Sequence, residues 1–185
     1  MRAVDACARP PASTGRAGTG RLDGMFERHA ARDRRSASGT DEDHVVYFDG
    51  VTWDEYERVL AMRGDRSAPR ITYVEGVLEI MAPSRNHEDI KSTIGRLVEV
   101  YCLERAVRFT ALGSWTLKQK GQKRGAEPDE CYQLGDGSPD RRPDLAIEVE
   151  WTSGRIDKLD VYRKLGVREV WYWRDGAIVP YRLHG

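Results

Sequence analysis

The sequence predicts an α/β domain, a mixed β-sheet with helices packed on it, and three observations carry that prediction. Short alternating apolar and polar runs recur through the chain, two segments repeat apolar residues at helical spacing, and glycine-bearing turns separate them. The chain has 185 residues, 39% of them hydrophobic, which suits one domain with a real core.

Residues 1–43 stand apart from the domain at 44–185. They are rich in Arg, Ala, Gly, Ser and Thr, contain Pro10 and Pro11, and show no hydrophobic period. Such a segment cannot bury enough apolar surface to offset its ordering entropy, so disorder is expected. It reads either as an arm that touches nucleic acid through Arg28, Arg32, Arg34 and Arg35, or as a leader with the true start at Met25. The leader is favoured, because so biased a composition carries little information.

The folded pattern begins near Val45. Thr52 followed by Glu55 is a capping box that opens a short helix running to about Met62. Residues 70–75 and 77–81 alternate around Glu75-Gly76, a hairpin signal. Pro83-Ser84 leads into a long helix whose apolar stripe is Ile90, Ile94, Leu97, Val98 and Tyr101. Residues 108–117 read as a strand, and 118–125 as a polar, glycine-bearing loop. Residues 127–134 and 143–151 are strand-like runs on either side of the turn-rich 135–139. Thr152-Ser153-Gly154 offers caps for a helix over about 156–165, which Gly166 closes. A last hairpin pairs 170–173 with 178–181 around Asp175-Gly176.

Charge sets limits on function. Thirty basic and thirty acidic side chains cancel, so no global field favours nucleic acid or membrane. A polyanion would need a local basic patch or metal ions. Three scattered cysteines, Cys7, Cys102 and Cys131, suggest neither a disulfide scaffold nor a zinc site and fit a reducing, cytoplasmic setting. No run approaches the roughly 18 apolar residues of a membrane helix.

The acids on the 127–151 hairpin are the first candidates for chemistry. With its turn centred between Ser138 and Pro139, Asp129 faces Glu148 across the ladder, with Cβ atoms about 4.5–5.5 Å apart. Two carboxylates that close repel unless a cation lies between them or one is protonated. Magnesium, which takes oxygen ligands, answers that conflict. Glu148 sits inside the apolar run Leu145-Ala146-Ile147-Glu148-Val149, where an unpaired charge is costly. Asp144 shares its face but lies roughly 13 Å away, and reads as an acid satisfying turn amides or supporting the site indirectly. Glu150 is either a further ligand or base, or a charge on a solvated face. Lys158, near a helix N-terminus, gains nothing from the helix dipole. A nearby acid or phosphate accounts for it, or it is a surface lysine paired with Asp157 or Asp160, which spacing alone favours.

These residues also carry a resemblance. Glu127-Pro128-Asp129, the run from Arg142 to Val149, Thr152-Ser153, Asp157-Lys158-Leu159 through Tyr162, and Gly166-Val167 to Trp171 resemble the Uma-two family, a branch of the PD-(D/E)XK nuclease superfamily. Tyr73, Glu75-Gly76, Leu78, Met81, Pro83-Ser84 and His87 resemble its N-terminal half. The resemblance spans about 45–173. It implies a restriction-endonuclease-like fold and a magnesium-dependent endonuclease acting on double-stranded DNA, with manganese as a substitute metal. Asp129 and Glu148 would be metal ligands and, with Lys158, the catalytic residues. The superfamily's usual lysine position is Glu150 here, and the family takes its lysine from the next helix, at Lys158. Since many such nucleases dimerise to cut both strands, a homodimer is a further implied partner. The alternative is a catalytically inactive module binding nucleic acid or a partner on the same fold.

Lys118, Lys120, Lys123 and Arg124 precede the first acid and read as a phosphate-binding patch, or as a solvated loop. Glu75 could add an acid near the metal, although acids are common at hairpin turns. His87 caps or packs the long helix, or approaches the site as a base. Trp171 and Trp173 alternate on one strand face as core or dimer surface.

Overall fold

A computed structural model describes residues 42–136, 142–150 and 154–184. The expectations for residues 1–41, for the turn centre at 138–139 and for caps at 152–153 lie outside the described residues. In chain order the elements are β1 (His44–Phe48), α1 (Trp53–Arg63), β2 (Arg70–Val74), β3 (Val77–Ala82), α2 (Arg85–Glu104), β4 (Phe109–Ala111) and β5 (Leu117–Gln119). They continue with β6 (Arg124–Ala126), β7 (Glu130–Leu134), β8 (Leu145–Val149), α3 (Lys158–Lys164), β9 (Glu169–Arg174) and β10 (Ala177–Arg182).

Local chemistry explains most of these boundaries. Thr52 accepts the Glu55 N–H while the Glu55 carboxylate accepts the Thr52 N–H, the reciprocal capping box. Ser84 caps α2 by accepting the His87 N–H at 3.2 Å. The β2–β3 and β9–β10 turns use Glu75-Gly76 and Asp175-Gly176, all four at positive φ, as a tight primed hairpin turn requires.

The strands form two five-stranded sheets rather than one. The first is antiparallel, in the order β1-β3-β2-β6-β5; the second, β10-β9-β8-β7-β4, is mixed because β8 and β9 run parallel through the α3 crossover. Two readings of the sequence change here. The run 108–117 is not one strand but β4 and β5, which belong to different sheets. The supposed loop 118–125 contains part of β5, a short 3-10 turn at Lys120–Gln122 and the start of β6. Gly125 in β6 has no alternation signal to show, and a Cβ there would overlap the Tyr56 ring, so close packing requires glycine.

Strand β8 is the axis of the domain. Leu145 and Ile147 face α2 and pack with Ile94, Val98, Cys102 and Tyr132. Ala146 faces α3 and packs with Val161, Tyr162 and Leu165. The period of two puts Glu148 on the α3 side as well. A third core joins α1 to the first sheet through Tyr56, Ile71, Tyr73 and Leu78. The expected stripe of α2 is only half buried: Ile94 and Val98 enter the core, while Leu97 and Tyr101 are exposed.

Candidate active site

The β7–β8 ladder pairs Glu130 with Ile147, Cys131 with Ala146 and Tyr132 with Leu145, and the next step sets Asp129 against Glu148. At that step the strands begin to part. The Asp129 N–H donates to the Ile147 carbonyl at 3.1 Å, and the Val149 N–H donates to Asp129 Oδ2 at 2.6 Å. The Asp129 carboxylate thus replaces a backbone acceptor at the end of the ladder. Both acids are buried, at 0% and 1% exposure, so neither charge can stand without partners.

Each acid has its own cations. Asp129 Oδ1 lies 2.9 Å from His87 Nε2 and 3.0 Å from Arg70 Nε, yet neither contact is aligned as a hydrogen bond. Beyond His87, Asp43 Oδ2 lies 2.7 Å from Nδ1, and Asp43 Oδ1 accepts the Ser84 N–H at 2.7 Å. Beyond Arg70, Glu88 accepts from Nη2 at 2.8 Å and pairs with Lys91 at 2.6 Å. Charge alternates in sign along the whole series, which is how a buried ionic network is held together. Burial alone would lower the His87 pKa, but the flanking carboxylates of Asp129 and Asp43 outweigh it and raise it to about 9. Burial likewise pushes Asp129 up, and His87 and Arg70 together bring it down to about 2. At neutral pH both are therefore charged.

Glu148 is held from α3. Lys158 Nζ donates to its Oε2 at 2.8 Å, and the Tyr162 hydroxyl donates a short bond to Oε1. Lys158 and Tyr162 are four residues apart, so both project from one face of the helix. Glu79, on β3, lies 3.8 Å from Lys158. Burial, with the charge of Asp129 added, raises the Glu148 pKa, and Lys158 opposes the rise. Burial would lower the Lys158 pKa, but Glu148, Glu79 and Asp129 hold it well above its ordinary value, so it is a cation at any physiological pH.

The site opens to a cleft of about 550 Å³ whose lining includes Glu42, Asp43, Glu79, Glu148, Glu150 and Lys158. Gly154 lets the segment after β8 approach it, since a Cβ there would come within 3.1 Å of the Tyr47 hydroxyl. Acids outnumber cations around the cleft, and they belong to β3, to β8 and the residue after it, and to the chain just before β1.

The donor set suits magnesium only in part. Among the described residues no three His, Cys, Asp or Glu side chains are arranged to hold an ion by themselves. Magnesium asks less, since one or two carboxylates with waters and substrate phosphate oxygens complete its shell. Glu148 supplies a hard oxygen donor at the cleft, whereas Asp129 Oδ1 behind it, though without an aligned hydrogen bond, already faces the His87 and Arg70 cations, which a metal ion would have to displace.

A family model, Uma2, described as "Putative restriction endonuclease", matches residues 53–185. The chain belongs to the Uma2 family. The match covers α1 to the C-terminus, which includes every residue of the site except the acids ahead of β1 and Tyr47 on it. No curated protein matches the chain. The two-sheet α/β architecture is restriction-endonuclease-like, and the family description makes nuclease the functional class and nucleic acid the partner class.

Against this Uma2 framework the sequence candidates divide. Asp129, Glu148, Lys158 and His87 come together. Glu150 lies at the cleft but is paired with Arg174. Glu75 does not join them: its side chain is on the far hairpin turn, mostly exposed, and bonds to Arg124. Asp144 is at the opposite end of β8, where it accepts the Leu134 N–H at 2.9 Å and lies 3.3 Å from Arg168. The basic residues do not form a free patch. Lys118 pairs with Glu57, Lys120 lies 3.7 Å from Asp54, and buried Arg124 bridges Glu75 and Asp160; Lys123 takes a left-handed turn conformation.

Sequence reasoning missed Glu79, Tyr162, Arg70 and Asp43. Tyr162 had a signal in its four-residue spacing from Lys158. Glu79 and Arg70 had none, because polar residues in an alternating strand read as its solvent face. Asp43 falls in the segment read as disordered, and its bonds to Ser84 and His87 make it part of the domain instead. Among the described residues no helix is long and apolar enough to cross a membrane.

Proposed function

We propose that this Uma2 protein is a magnesium-dependent endonuclease that hydrolyses phosphodiester bonds in double-stranded DNA. The observation that carries the reading is the Glu148–Lys158 pair, with its 2.8 Å contact at the floor of a cleft and Asp129 behind it. A carboxylate on a nearly fully buried strand position is costly, and a lysine that serves only solubility would not be buried against it. The excess of acids also supports metal dependence, because a phosphate chain cannot approach such a cleft unless cations offset its charge. Magnesium bound by Glu148 and Asp129 would polarise the scissile phosphate and ease deprotonation of an attacking water.

The chain's own residues have separate tasks. Tyr162 and Lys158 hold the Glu148 carboxylate in one orientation. Lys158, 17% exposed on its side chain, keeps donors to offer a phosphate oxygen as negative charge develops there. His87 and Arg70 keep Asp129 ionised, and no covalent nucleophile is needed.

The test is incubation of purified protein with plasmid DNA and magnesium, beside Glu148→Ala and a chelator control. Cleavage by the wild type alone, abolished by chelation, is expected. Equal cleavage by both proteins, or by neither, refutes the reading. Binding without cleavage would favour an inactive nucleic-acid-binding module, for which Glu150 in the usual lysine position is the relevant observation.

A further inference from the structure

Helix α2 has a second apolar face that the domain core does not use. Leu97 is 61% exposed, Val100 56%, Tyr101 62% and Leu103 70%, although the helix buries Ile94, Val98 and Cys102 on its inner side. Val100 points directly away from the core, and Leu97 and Leu103 flank it three residues to either side. Arg96 and Glu104, four residues to either side of Val100, are exposed and have no ionic or hydrogen-bonded partner among the described residues. An apolar groove of about 780 Å³ runs beside this face, between α2 and β9–β10, with Leu97, Tyr101, Trp171 and Ile178 in its walls.

The pattern is self-complementary. Reversing the helix about Val100 exchanges Leu97 with Leu103 and Arg96 with Glu104. We propose that this face is a homodimer interface, in which α2 packs antiparallel on α2 of a second copy with a two-fold axis beside Val100. Each Leu97 then meets Leu103 of the other copy, and two Arg96–Glu104 pairs close the ends. An isologous contact requires this reciprocity. A different partner would have no reason to match a charge order that reads as its own reverse. A specific interface buries roughly 1,200–2,000 Å² in total. The helix pair supplies its centre, and the groove walls beside it supply further area, with Tyr101 at the junction.

The inference does not depend on the nuclease reading. His87 in the first turn of α2 lies thirteen residues before Val100, about 20 Å along the helix. The two candidate active sites would therefore sit at opposite ends of the paired helices.

The test is the solution mass of the full chain, by sedimentation, for four proteins. Wild type is expected at twice 21.0 kDa. Val100→Arg, which opposes two cations at the axis, is expected to be monomeric with an unchanged circular dichroism spectrum. Arg96→Glu is expected to weaken the dimer at least tenfold, and Arg96→Glu with Glu104→Arg to restore it. A monomeric wild type, or a dimer unaffected by Val100→Arg, overturns the interface. Failure of the double reversal to restore what the single one lost overturns the antiparallel register.

Discussion

His87 is expected to remain protonated far above the usual histidine range, and that proton should contribute measurably to folding. The imidazole is fully buried between Asp129 and Asp43, and its pKa rises from 6.5 to about 9. An interval of that size corresponds to about 3 kcal/mol of folding free energy. The sign follows from the order of the two titrations. Below pH 6.5 folded and unfolded chains both carry the proton, and the contribution is complete. As pH rises the unfolded chain loses its proton first, and the contribution is gone once the folded pKa near 9 is passed. Urea unfolding of wild type and His87→Gln across this interval isolates the effect, because titrations elsewhere cancel in the difference. The stability difference should fall by about 3 kcal/mol from the lower to the upper end. An imidazole resonance for His87 with a midpoint near pH 9 should accompany it, and Asp43→Asn should lower that midpoint. A flat difference, or a midpoint at or below 6.5, would refute the reasoning. Asp129 gives the opposite dependence: its pKa falls from 3.8 to about 2, so its stabilisation is present above 3.8 and disappears as pH drops through about 2.

Three substitutions test other links. Tyr162→Phe leaves Glu148 Oε1 without its donor and should destabilise by about 1–3 kcal/mol in urea unfolding. Lys158→Met strands Glu148 and Glu79 and should cost about 3–5 kcal/mol at neutral pH. That loss should shrink at acid pH, where Glu148 can take a proton, and a pH-independent loss would count against the pairing. Gly125→Ala forces a methyl group into the Tyr56 ring and should lower stability by about 1–3 kcal/mol in thermal or urea unfolding, with the largest spectral change at Tyr56 and Tyr73.

What the sequence determined by itself was local and periodic. The Thr52–Glu55 capping box, the Ser84 start of α2 and the two primed hairpins were legible because each depends on residues within a few positions of one another. The Asp129–Glu148 register was legible because facing residues of an antiparallel pair keep one constant sum of positions, and the ladder from Glu130–Ile147 to Tyr132–Leu145 has the sum the sequence suggested. Glu148 stood out because a charge inside an apolar strand has few affordable explanations.

Tertiary structure decided everything that depends on distant partners. Residues 108–117 divide between two sheets because Phe109–Ala111 pairs with β7 and Leu117–Gln119 with β6, a choice no local pattern encodes. Glu79 and Arg70 occupy polar positions of ordinary alternating strands. Only the packing of the first sheet against the β7–β8 end turns those positions inward, toward Lys158 and Asp129. Lys158 shows the same division most plainly. Its spacing favoured a surface pair with Asp157 or Asp160, yet the α3 crossover lays it over Glu148. Charge pairing is set by distance in space, and a sequence carries that distance only where the chain between two residues is short and regular.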